Sequence, residues 1–403
     1  MMRRFFILLL ATTSALVACS EEATQGTPEV GEDSVAVGVL QSLTGTMAIS
    51  EITVKNAEML AIEEINASGG VLAKEIVAFV EDGASEPSIF AQKASKLIGD
   101  SGVVTVFGGW TSASRKAMLP VFERTGNLLW YPVQFEGNEC SSNIMYSGAQ
   151  PNQQILPALN WAAQEDYKTY FLIGSDYVFP RTANLILKKH IEDKGLETVG
   201  EAYVPLGGTD FSGVLSKIQS AGPDIIFNTL NGDSNVAFFK QLKATGASFD
   251  DMPVMSFSIG EQEARAMGAD LVAGSYAAWN YFQSLDTPQN AAFIAAYQKK
   301  FGEDAAITDP MVHGYLNVYA WKAAAEAAGN FDPEAVRAAA VALGSIDTPM
   351  GKVSFASNQS LVQTAYIGKL NGEGQFDIIA DSGGDITPQP YDALTFPGRS
   401  CAP

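Results

Sequence analysis

The sequence predicts an α/β protein of two lobes, each a mostly parallel sheet flanked by helices, joined by hinge segments that cross between them. Three observations lead to this fold class. The 403-residue chain is longer than a single hydrophobic core supports. Apolar segments with strand and helix periodicity alternate along it. They form two successive series, separated by an irregular stretch at residues 132–151 that contains Gly137, Gly148 and Pro151.

The first series begins with Val35, Val37 and Val39, whose alternation indicates a strand. The helix that follows ends at Gly69-Gly70, because glycine is favoured just beyond the end of a helix. Further strands are predicted at residues 76–80, 103–107 and 128–131, with helices between them. Such alternation favours a parallel sheet covered by helices.

The second series has predicted strands at residues 170–173, 225–229 and 254–257, again separated by helices. Residues 276–281 are expected to cross back, and the segment at 345–380 is strand-rich. The predicted organisation is a signal peptide at 1–18, a flexible tether at 19–34, lobe 1 at 35–149 and 282–350, lobe 2 at 150–281 and 351–385, and a C-terminal tail at 386–403.

Composition narrows the classes of function. Hydrophobic residues make up 47% of the chain and charged residues 17%, as in a folded globular protein. The net charge of −20 disfavours nucleic acid and anionic lipid as partners, because like charges repel. After residue 20, no stretch has the ~20 apolar residues that a membrane span needs.

The N-terminus has the features of an export signal. Arg3 and Arg4 precede an apolar run at residues 5–11 that is too short to span a bilayer. The sequence Leu-Val-Ala-Cys at 16–19 then resembles the lipobox of bacterial lipoproteins. That resemblance implies lipidation of Cys19 and an anchor facing the periplasm or the cell exterior. A secreted protein with an incidental cysteine is the alternative.

Cys140 and Cys401 remain after this cleavage. In an oxidising compartment they could form a disulfide that ties the C-terminal tail to a loop. The sequence leaves this pairing open, because it does not give the distance between the two residues. It disfavours a catalytic or metal-binding role for two such widely spaced cysteines.

The stretch at residues 103–115 predicts a ligand-binding edge. A buried strand ends at Gly108-Gly109, which permits a tight turn, and Ser112 stands where a helix begins. A hydroxyl beside free N–H groups suits a carbonyl oxygen or an anion. Similar strand ends recur later in the chain, and open α/β sheets bind ligands at the carboxyl ends of their strands. We therefore expect the binding site in a cleft between the lobes.

The predicted strand ends supply aromatic walls and neutral polar groups but few cations. The candidate ligand-binding residues are Trp110, Thr111, Ser112, Tyr131, Gln134, Tyr177, Phe179, Asn228, Asp233, Glu261 and Tyr281. Structural alternatives exist for each kind of residue. Ser112 and Asp233 could cap helices, and Trp110 and Tyr131 could belong to the core. Glutamates such as Glu261 and Glu263 more often lie in a solvated first helical turn.

Motifs of known catalysts do not occur in the sequence. The only histidines, His190 and His313, lack zinc-site spacing, and there is no Cys-x-x-Cys pair. No G-x-S-x-G, Walker or G-x-G-x-x-G sequence is found. We therefore expect a protein without enzyme activity, metal or cofactor.

Several strand-end segments form a recognisable set. They include Gly-Gly-Trp-Thr-Ser-Ala-Ser-Arg-Lys at 108–116, Leu-Trp-Tyr-Pro-Val-Gln-Phe-Glu-Gly at 129–137 and Asn-Thr-Leu-Asn-Gly-Asp-Ser-Asn at 228–235, with further segments at 142–144, 149–154, 174–181 and 281–288. Together they resemble the type I periplasmic solute-binding proteins of the amide and urea branch, most closely the substrate-binding proteins of urea ABC transporters. The amide-sensing regulators of this branch have Tyr in place of Trp110 and lack Asp233, which favours the transport side.

The resemblance implies a two-lobe protein that closes over urea. Ser112 would hold the carbonyl oxygen, Asp233 and other oxygens would accept the N–H groups, and Trp110 or Tyr177 would stack on the molecule. The expected partners are the permease subunits of an ABC importer with their ATPases, and the expected state is a monomer. Short-chain amides or branched-chain amino acids are the alternative ligands. A ligand sensor that signals through a partner protein and an amidase or urease-like enzyme are the alternative classes.

Overall fold

The computed structural model describes residues 30–401. The predicted signal peptide and the predicted lipidation site Cys19 lie outside the described residues. The strands are β1 (Ser34–Gln41), β2 (Glu75–Asp82), β3 (Val106–Gly108), β4 (Leu129–Tyr131), β5 (Ile144–Tyr146), β6 (Thr169–Ser175), β7 (Glu197–Val204), β8 (Ile225–Thr229), β9 (Val254–Ser256), β10 (Tyr276–Trp279), β11 (Ile346–Thr348), β12 (Gly351–Phe355), β13 (Leu361–Leu370) and β14 (Phe376–Ile386).

The helices follow the strands in the alternation that the sequence predicts. They are α1 (Ala48–Ala67), α2 (Pro87–Gly99), α3 (Ser112–Thr125), α4 (Ile155–Gln164), α5 (Val178–Asp193), α6 (Ser212–Ala221), α7 (Ser234–Ala244), α8 (Glu261–Met267), α9 (Ala269–Val272), α10 (Pro288–Phe301), α11 (Asp309–Ala328) and α12 (Pro333–Ala342). A short 3-10 helix, Pro151–Gln153, precedes α4.

Lobe 1 is built on a parallel sheet with the strand order β2-β1-β3-β4-β5. Alternate side chains of β1 enter two separate cores, one on each face of the sheet. Val35, Val37 and Val39 pack in one, and Ala36 and Leu40 pack in the other. The alternation of the sequence thus corresponds to a strand that helices cover on both faces.

Lobe 2 has a larger sheet, in which β7-β6-β8-β9-β10 run parallel and β13 joins β10 antiparallel. Its strand β6 shows the same division between two cores. Phe171 and Ile173 pack on one face of the sheet, and Tyr170 and Leu172 pack on the other. Each lobe is therefore a three-layer α/β unit.

Polar side chains join the segments where the chain passes between the lobes. Gln153 Nε2 donates to the carbonyl oxygens of Leu361 and Ile386, at 2.8 and 2.9 Å. Asn280 Nδ2 donates to the carbonyl oxygens of Gln153 and Thr364, at 3.1 and 2.8 Å. The crossing segments are thus bonded to one another as well as to their own lobes.

The last crossing is β13 itself. Val353 and Phe355 of β12 pack in a core of lobe 1, together with Leu361 at the start of β13. Leu370, at the other end of β13, packs in lobe 2. We therefore place the final passage into lobe 2 within β13, rather than at the boundary expected after residue 350.

The C-terminal tail reaches both lobes. Cys140 and Cys401, whose pairing the sequence leaves open, form a disulfide in the structure, with their Cα atoms 5.6 Å apart. The N–H of Asn138 donates to the carbonyl oxygen of Pro390 at 2.6 Å. On lobe 2, His190 Nε2 lies 2.8 Å from Asp392 Oδ1. Within residues 30–401, no helix has the length and hydropathy required to cross a membrane.

Candidate functional site

The two lobes face each other at corresponding points of their sheets. In lobe 1 the strand order reverses at β1, which lies between β2 and β3, and in lobe 2 it reverses at β6, which lies between β7 and β8. Ligands of open α/β sheets bind at such reversal points. Trp110 follows β3, Asn231 follows β8, and the indole Nε1 of Trp110 donates to Asn231 Oδ1 at 3.1 Å.

Further hydrogen bonds hold the lobes together around this point. Gln134 Nε2 of lobe 1 donates to the Phe257 carbonyl oxygen at 2.8 Å and to Ser258 Oγ at 3.0 Å. Ser50 Oγ donates to Glu263 Oε1 at 2.6 Å. The loops between which the sequence predicts a cleft are therefore in direct contact, and the structure is a closed form.

Two glycines permit these close approaches. Gly108 has φ +133°, and a Cβ on it would collide with the carbonyl group of Leu40. Gly232 has φ +62°, and a Cβ on it would lie 2.6 Å from the carbonyl oxygen of Thr46, which belongs to the other lobe. A side chain at position 232 would therefore hold the lobes apart at this point.

Ser112, at the start of α3, is held by a buried ion cluster. Its Oγ accepts a hydrogen bond from Arg115 Nη1 at 3.0 Å. Arg115 is 0% exposed, and it also donates to Glu139 Oε1 at 2.8 Å and to Glu136 Oε1 at 3.2 Å. Burial opposes the charge on Glu139, but Arg115 and Lys116 outweigh it and hold the pKa of that carboxyl at about 2.

Because Arg115 occupies the Ser112 oxygen as a donor, the hydroxyl hydrogen of Ser112 is directed to another acceptor. In the first turn of α3, Thr111 Oγ1 accepts the N–H of Ser114, whereas the N–H groups of Ser112 and Ala113 have no partner inside the helix. This end of α3 therefore presents donors, which suit a carbonyl or carboxylate oxygen.

Two further candidates, Glu261 and Gln134, have buried oxygen atoms without a partner among the described residues. Glu261 is 0% exposed; its Oε1 accepts the N–H of Gln283 at 2.7 Å, whereas its Oε2 has no partner among the described residues. Gln134 Oε1 is also buried and without a described partner. Burial raises the pKa of Glu261 to about 8.

The aromatic candidates divide into two groups. Trp110 and Tyr131 meet at the lobe 1 edge, where the Tyr131 hydroxyl donates to the Trp110 carbonyl oxygen. Tyr177 precedes α5 on the lobe 2 side and is half-buried. Trp110, Tyr131 and Tyr281 all pack in one core of lobe 1, and Phe179 packs in a core of lobe 2. The Tyr281 hydroxyl donates to Asn290 Oδ1 at 2.6 Å.

Two of the polar candidates are occupied by partners within their own lobes. Thr111 caps α3, since its Oγ1 accepts the N–H of Ser114 at 3.1 Å. Asn228 Nδ2 donates to Asn235 Oδ1 at 3.0 Å, and Asn228 Oδ1 accepts the N–H of Leu230 at 2.9 Å. In this closed form both side chains stabilise loops that border the contact between the lobes.

The acidic candidates do not lie where the sequence predicts them, with Asp233 in the ligand site and the glutamates in a solvated helical turn. The Asp233 side chain is exposed at the rim, and its N–H donates to Thr46 Oγ1 of lobe 1 at 3.1 Å. The expectation of a solvated first turn for Glu261 and Glu263 is wrong, because both are buried. Glu263 is buried because it bonds Ser50 across the cleft and also accepts the N–H of Gly260 at 3.0 Å.

Sequence reasoning missed three side chains at this site, namely Gln41, Glu51 and Asn231. Asn231 lies two residues before the candidate Asp233 and carries the contact to Trp110. Gln41 ends β1, and Glu51 lies in the first turn of α1. The position of Gln41 at a strand end was a usable signal, whereas a glutamate in a first helical turn is ordinarily a surface residue.

Comparison with known proteins shows what this chain resembles. Residues 35–396 match the family described as the periplasmic binding protein domain. The Leu/Ile/Val-binding protein BraC3 of Rhizobium johnstonii is 25% identical over 338 residues, which cover 82% of this chain and 90% of that protein. A leucine-, isoleucine-, valine-, threonine- and alanine-binding protein of Pseudomonas aeruginosa is 24% identical and covers 80% of this chain and 86% of its own length.

Solved structures show the same fold. A solute-binding protein of an ABC transporter from Rhodopseudomonas palustris, in complex with 3,4-dihydroxybenzoic acid, has a TM-score of 0.78 and 24% identity, and covers 89% of this chain and 99% of its own. A branched-chain amino acid substrate-binding protein of Streptococcus pneumoniae, in complex with isoleucine, has a TM-score of 0.76 and 21% identity, and covers 88% and 100%. The predicted two-lobe fold is confirmed.

Proposed function

Because this chain belongs to the periplasmic binding protein domain family, we propose that it captures a small uncharged solute with several N–H donors, urea foremost, and delivers it to an importer. At the coarser level, it is a non-enzymatic solute-binding protein of an ABC transporter. The proposal adds the identity of the solute, urea, and its delivery to the permease.

The observation that carries this proposal is the balance of hydrogen-bonding groups in the cleft. The Ser112 hydroxyl is a donor, because Arg115 already occupies its oxygen. Gln134 Oε1 and Glu261 Oε2 are buried acceptors without a partner among residues 30–401. Urea has one acceptor oxygen and four N–H donors, so its polar groups complement this set. Leaving such groups unpaired in a closed cleft would cost about 1–3 kcal/mol each.

The pairing of the cations supports an uncharged ligand over a carboxylate. Arg115 and Lys116 are both engaged by Glu136 and Glu139. Arg181, near the cleft rim, pairs with Asp176 at 2.5 Å. A ligand carboxylate would therefore find only hydroxyl and N–H donors on this part of the described chain, beside buried glutamates.

A branched-chain amino acid is the second candidate, and the names of the curated relatives favour it over urea. Those relatives are Leu/Ile/Val-binding proteins. In this alternative, Ser112 and the start of α3 would hold the α-carboxylate, while Glu261 would hold the α-ammonium group. Short-chain amides such as acetamide form an intermediate case, with one oxygen and fewer N–H donors.

Calorimetric titration of ligand-free protein with urea, acetamide and leucine separates these candidates. For a ligand of four heavy atoms, a ceiling of ~1.5 kcal/mol per atom limits binding to about 6 kcal/mol, or a Kd on the order of 10⁻⁵ M. We expect urea to bind near that ceiling and leucine not to bind. Binding of leucine without urea would instead assign the protein to branched-chain amino acids.

We further propose that the chain is an exported monomer, anchored through lipidated Cys19. The lipobox-like sequence at 16–19 supports this. Replacing Cys19 by Ser should release the protein from the membrane fraction into the soluble extracytoplasmic fraction while urea binding stays unchanged. Retention of the Cys19→Ser protein in the membrane fraction would contradict the anchor.

A further inference from the structure

Glu51 stands at the lobe 1 side of the cleft. It directly follows Ser50, which donates to Glu263 of lobe 2. Its own Oε2 accepts the N–H of Ser42, the residue after β1. Since β1 pairs with β3 in the register Leu40 to Gly108, Ser42 lies at the same sheet edge as the loop of Trp110. Glu51 is thus fixed beside the contact between the lobes.

This carboxylate has unused hydrogen-bonding capacity. Glu51 is 0% exposed, yet its Oε1 has no partner among the described residues. No cation within residues 30–401 forms an ion pair with it. Gln41, at the end of the adjacent strand, donates from its amide nitrogen to Glu58 Oε1 at 2.9 Å. Its amide oxygen, Oε1, is buried without a described partner. Buried polar atoms are normally satisfied, so these acceptors indicate a donor that comes from outside the chain.

Glu51 also lies close to lobe 2. Helix α1, which carries it, packs against α8 of lobe 2. Since Ser50 of the same helix turn bonds Glu263 of α8, Glu51 belongs to the face of lobe 1 that meets lobe 2.

We propose that Glu51 determines specificity by accepting N–H groups from a second amino group of the ligand, so that urea is preferred to a carboxamide such as acetamide. This inference rests on the function proposed above and adds the residue that distinguishes the two ligands. In acetamide a methyl group takes the place of the second amino group. A site built to bond an N–H group rejects an analogue that lacks it, because the buried acceptor is left unpaired.

The test is the ratio of urea affinity to acetamide affinity, measured by calorimetry on the wild type, Glu51→Gln and Glu51→Leu at pH 9, above the pKa of about 8 to which burial raises the Glu51 carboxyl. We expect the wild type to prefer urea by about 10- to 100-fold, the range for a hydrogen bond to a charged group. In Glu51→Gln an amide of the same shape replaces the carboxylate, and the preference should fall by about tenfold or more. In Glu51→Leu the apolar side chain should favour the methyl group of acetamide.

Glu64→Gln is the control. Glu64 is also a glutamate of α1, but it accepts hydrogen bonds from the hydroxyls of Tyr315 and Tyr319 of α11, on the side of lobe 1 away from lobe 2. Its replacement should leave the ratio at the wild-type value. An unchanged ratio in Glu51→Gln overturns the assignment of Glu51, whether or not Glu51→Leu folds. A wild type that binds neither ligand overturns the proposed function, and the assignment of Glu51 with it.

Discussion

Arg115 Nη1 donates to Ser112 Oγ at 3.0 Å, within a single turn of α3 that is sealed from solvent. This contact connects the ligand-facing start of the helix to an ion cluster behind it. The guanidinium group of Arg115 also lies 4.6 Å from the ring centre of Phe135, so it is fixed by packing as well as by charge. A small hydroxyl thereby acquires a defined direction and a defined role as a donor.

Replacing Ser112 by Ala should weaken urea binding by ~1–3 kcal/mol, about 5- to 150-fold, because the ligand oxygen loses its donor. Calorimetry of the folded variant measures this loss. Ser114→Ala is the control, since Ser114 Oγ is buried one half-turn further on and, within residues 30–401, bonds only Thr111 Oγ1, at 2.8 Å. Equal effects from both variants would show that the loss comes from helix capping.

Arg115→Met should destabilise the fold by about 3–5 kcal/mol, because Glu136 and Glu139 would be buried without their main cation. Thermal unfolding measures the change without adding a denaturant that resembles the ligand. Arg181→Met removes an exposed ion pair and should leave the melting temperature nearly unchanged, because solvent screens the two charges. Similar melting temperatures for the two variants would show that the fold does not depend on the pairing of Arg115 with the buried glutamates.

Trp110→Phe keeps an aromatic ring but removes the indole donor to Asn231. The closed form should lose about 0.5–1.5 kcal/mol, which lowers urea affinity about 2- to 12-fold. Small-angle scattering of the unliganded variant should show a larger radius of gyration. Trp279→Phe is the comparison, because Trp279 Nε1 donates at 2.7 Å to Ile259 within lobe 2. That variant should lose stability without changing the opening of the lobes.

Stability should fall as the pH rises from about 4.5 to about 8. Burial raises the pKa of Glu51, Glu58 and Glu261 to about 8, from a usual value of 4.5. The folded state therefore binds more protons than the unfolded state in this window, and raising the pH removes that stabilisation. Carboxyls with lowered values, such as Glu139, titrate below it.

Melting temperatures at pH 5 and pH 8 measure this dependence, and Glu58→Gln should reduce the difference between them. Asp176→Asn is the control, because Asp176 lies on the surface and its pKa is lowered by Arg181. A melting temperature that rises from pH 5 to pH 8 would show that these glutamates are ionised in the folded protein.

The fold could be predicted from the sequence because its signals are periodic and local. The valines of β1 alternate, and the structure places them in the core of one sheet face. The last lobe boundary was not predictable in the same way. The apolar pattern of Val353 and Phe355 shows that β12 is buried, but it does not tell which of two cores receives it.

The site was less predictable because its contacts join residues that are distant in sequence. The strand-end rule selected Trp110 and Gln134, which bond residues of lobe 2, and Ser112, which bonds Arg115 of its own helix. The rule did not distinguish Asn231 from Asp233, because both residues belong to the same turn after β8. Contact with lobe 1 buries Asn231 and leaves the Asp233 side chain exposed. Glu51 and Glu263 have the ordinary sequence setting of surface glutamates, yet both are buried, and Glu263 bonds Ser50 of the other lobe.

The disulfide between Cys140 and Cys401 has a topological consequence. Every passage of the chain between the lobes, from the segment before α4 to β13, lies between these two cysteines. The backbone and the disulfide therefore form one closed covalent ring that contains all of the hinge strands. A protease that cuts any one of them opens the ring without separating the lobes, and the nicked molecule comes apart only under conditions that both reduce and unfold it.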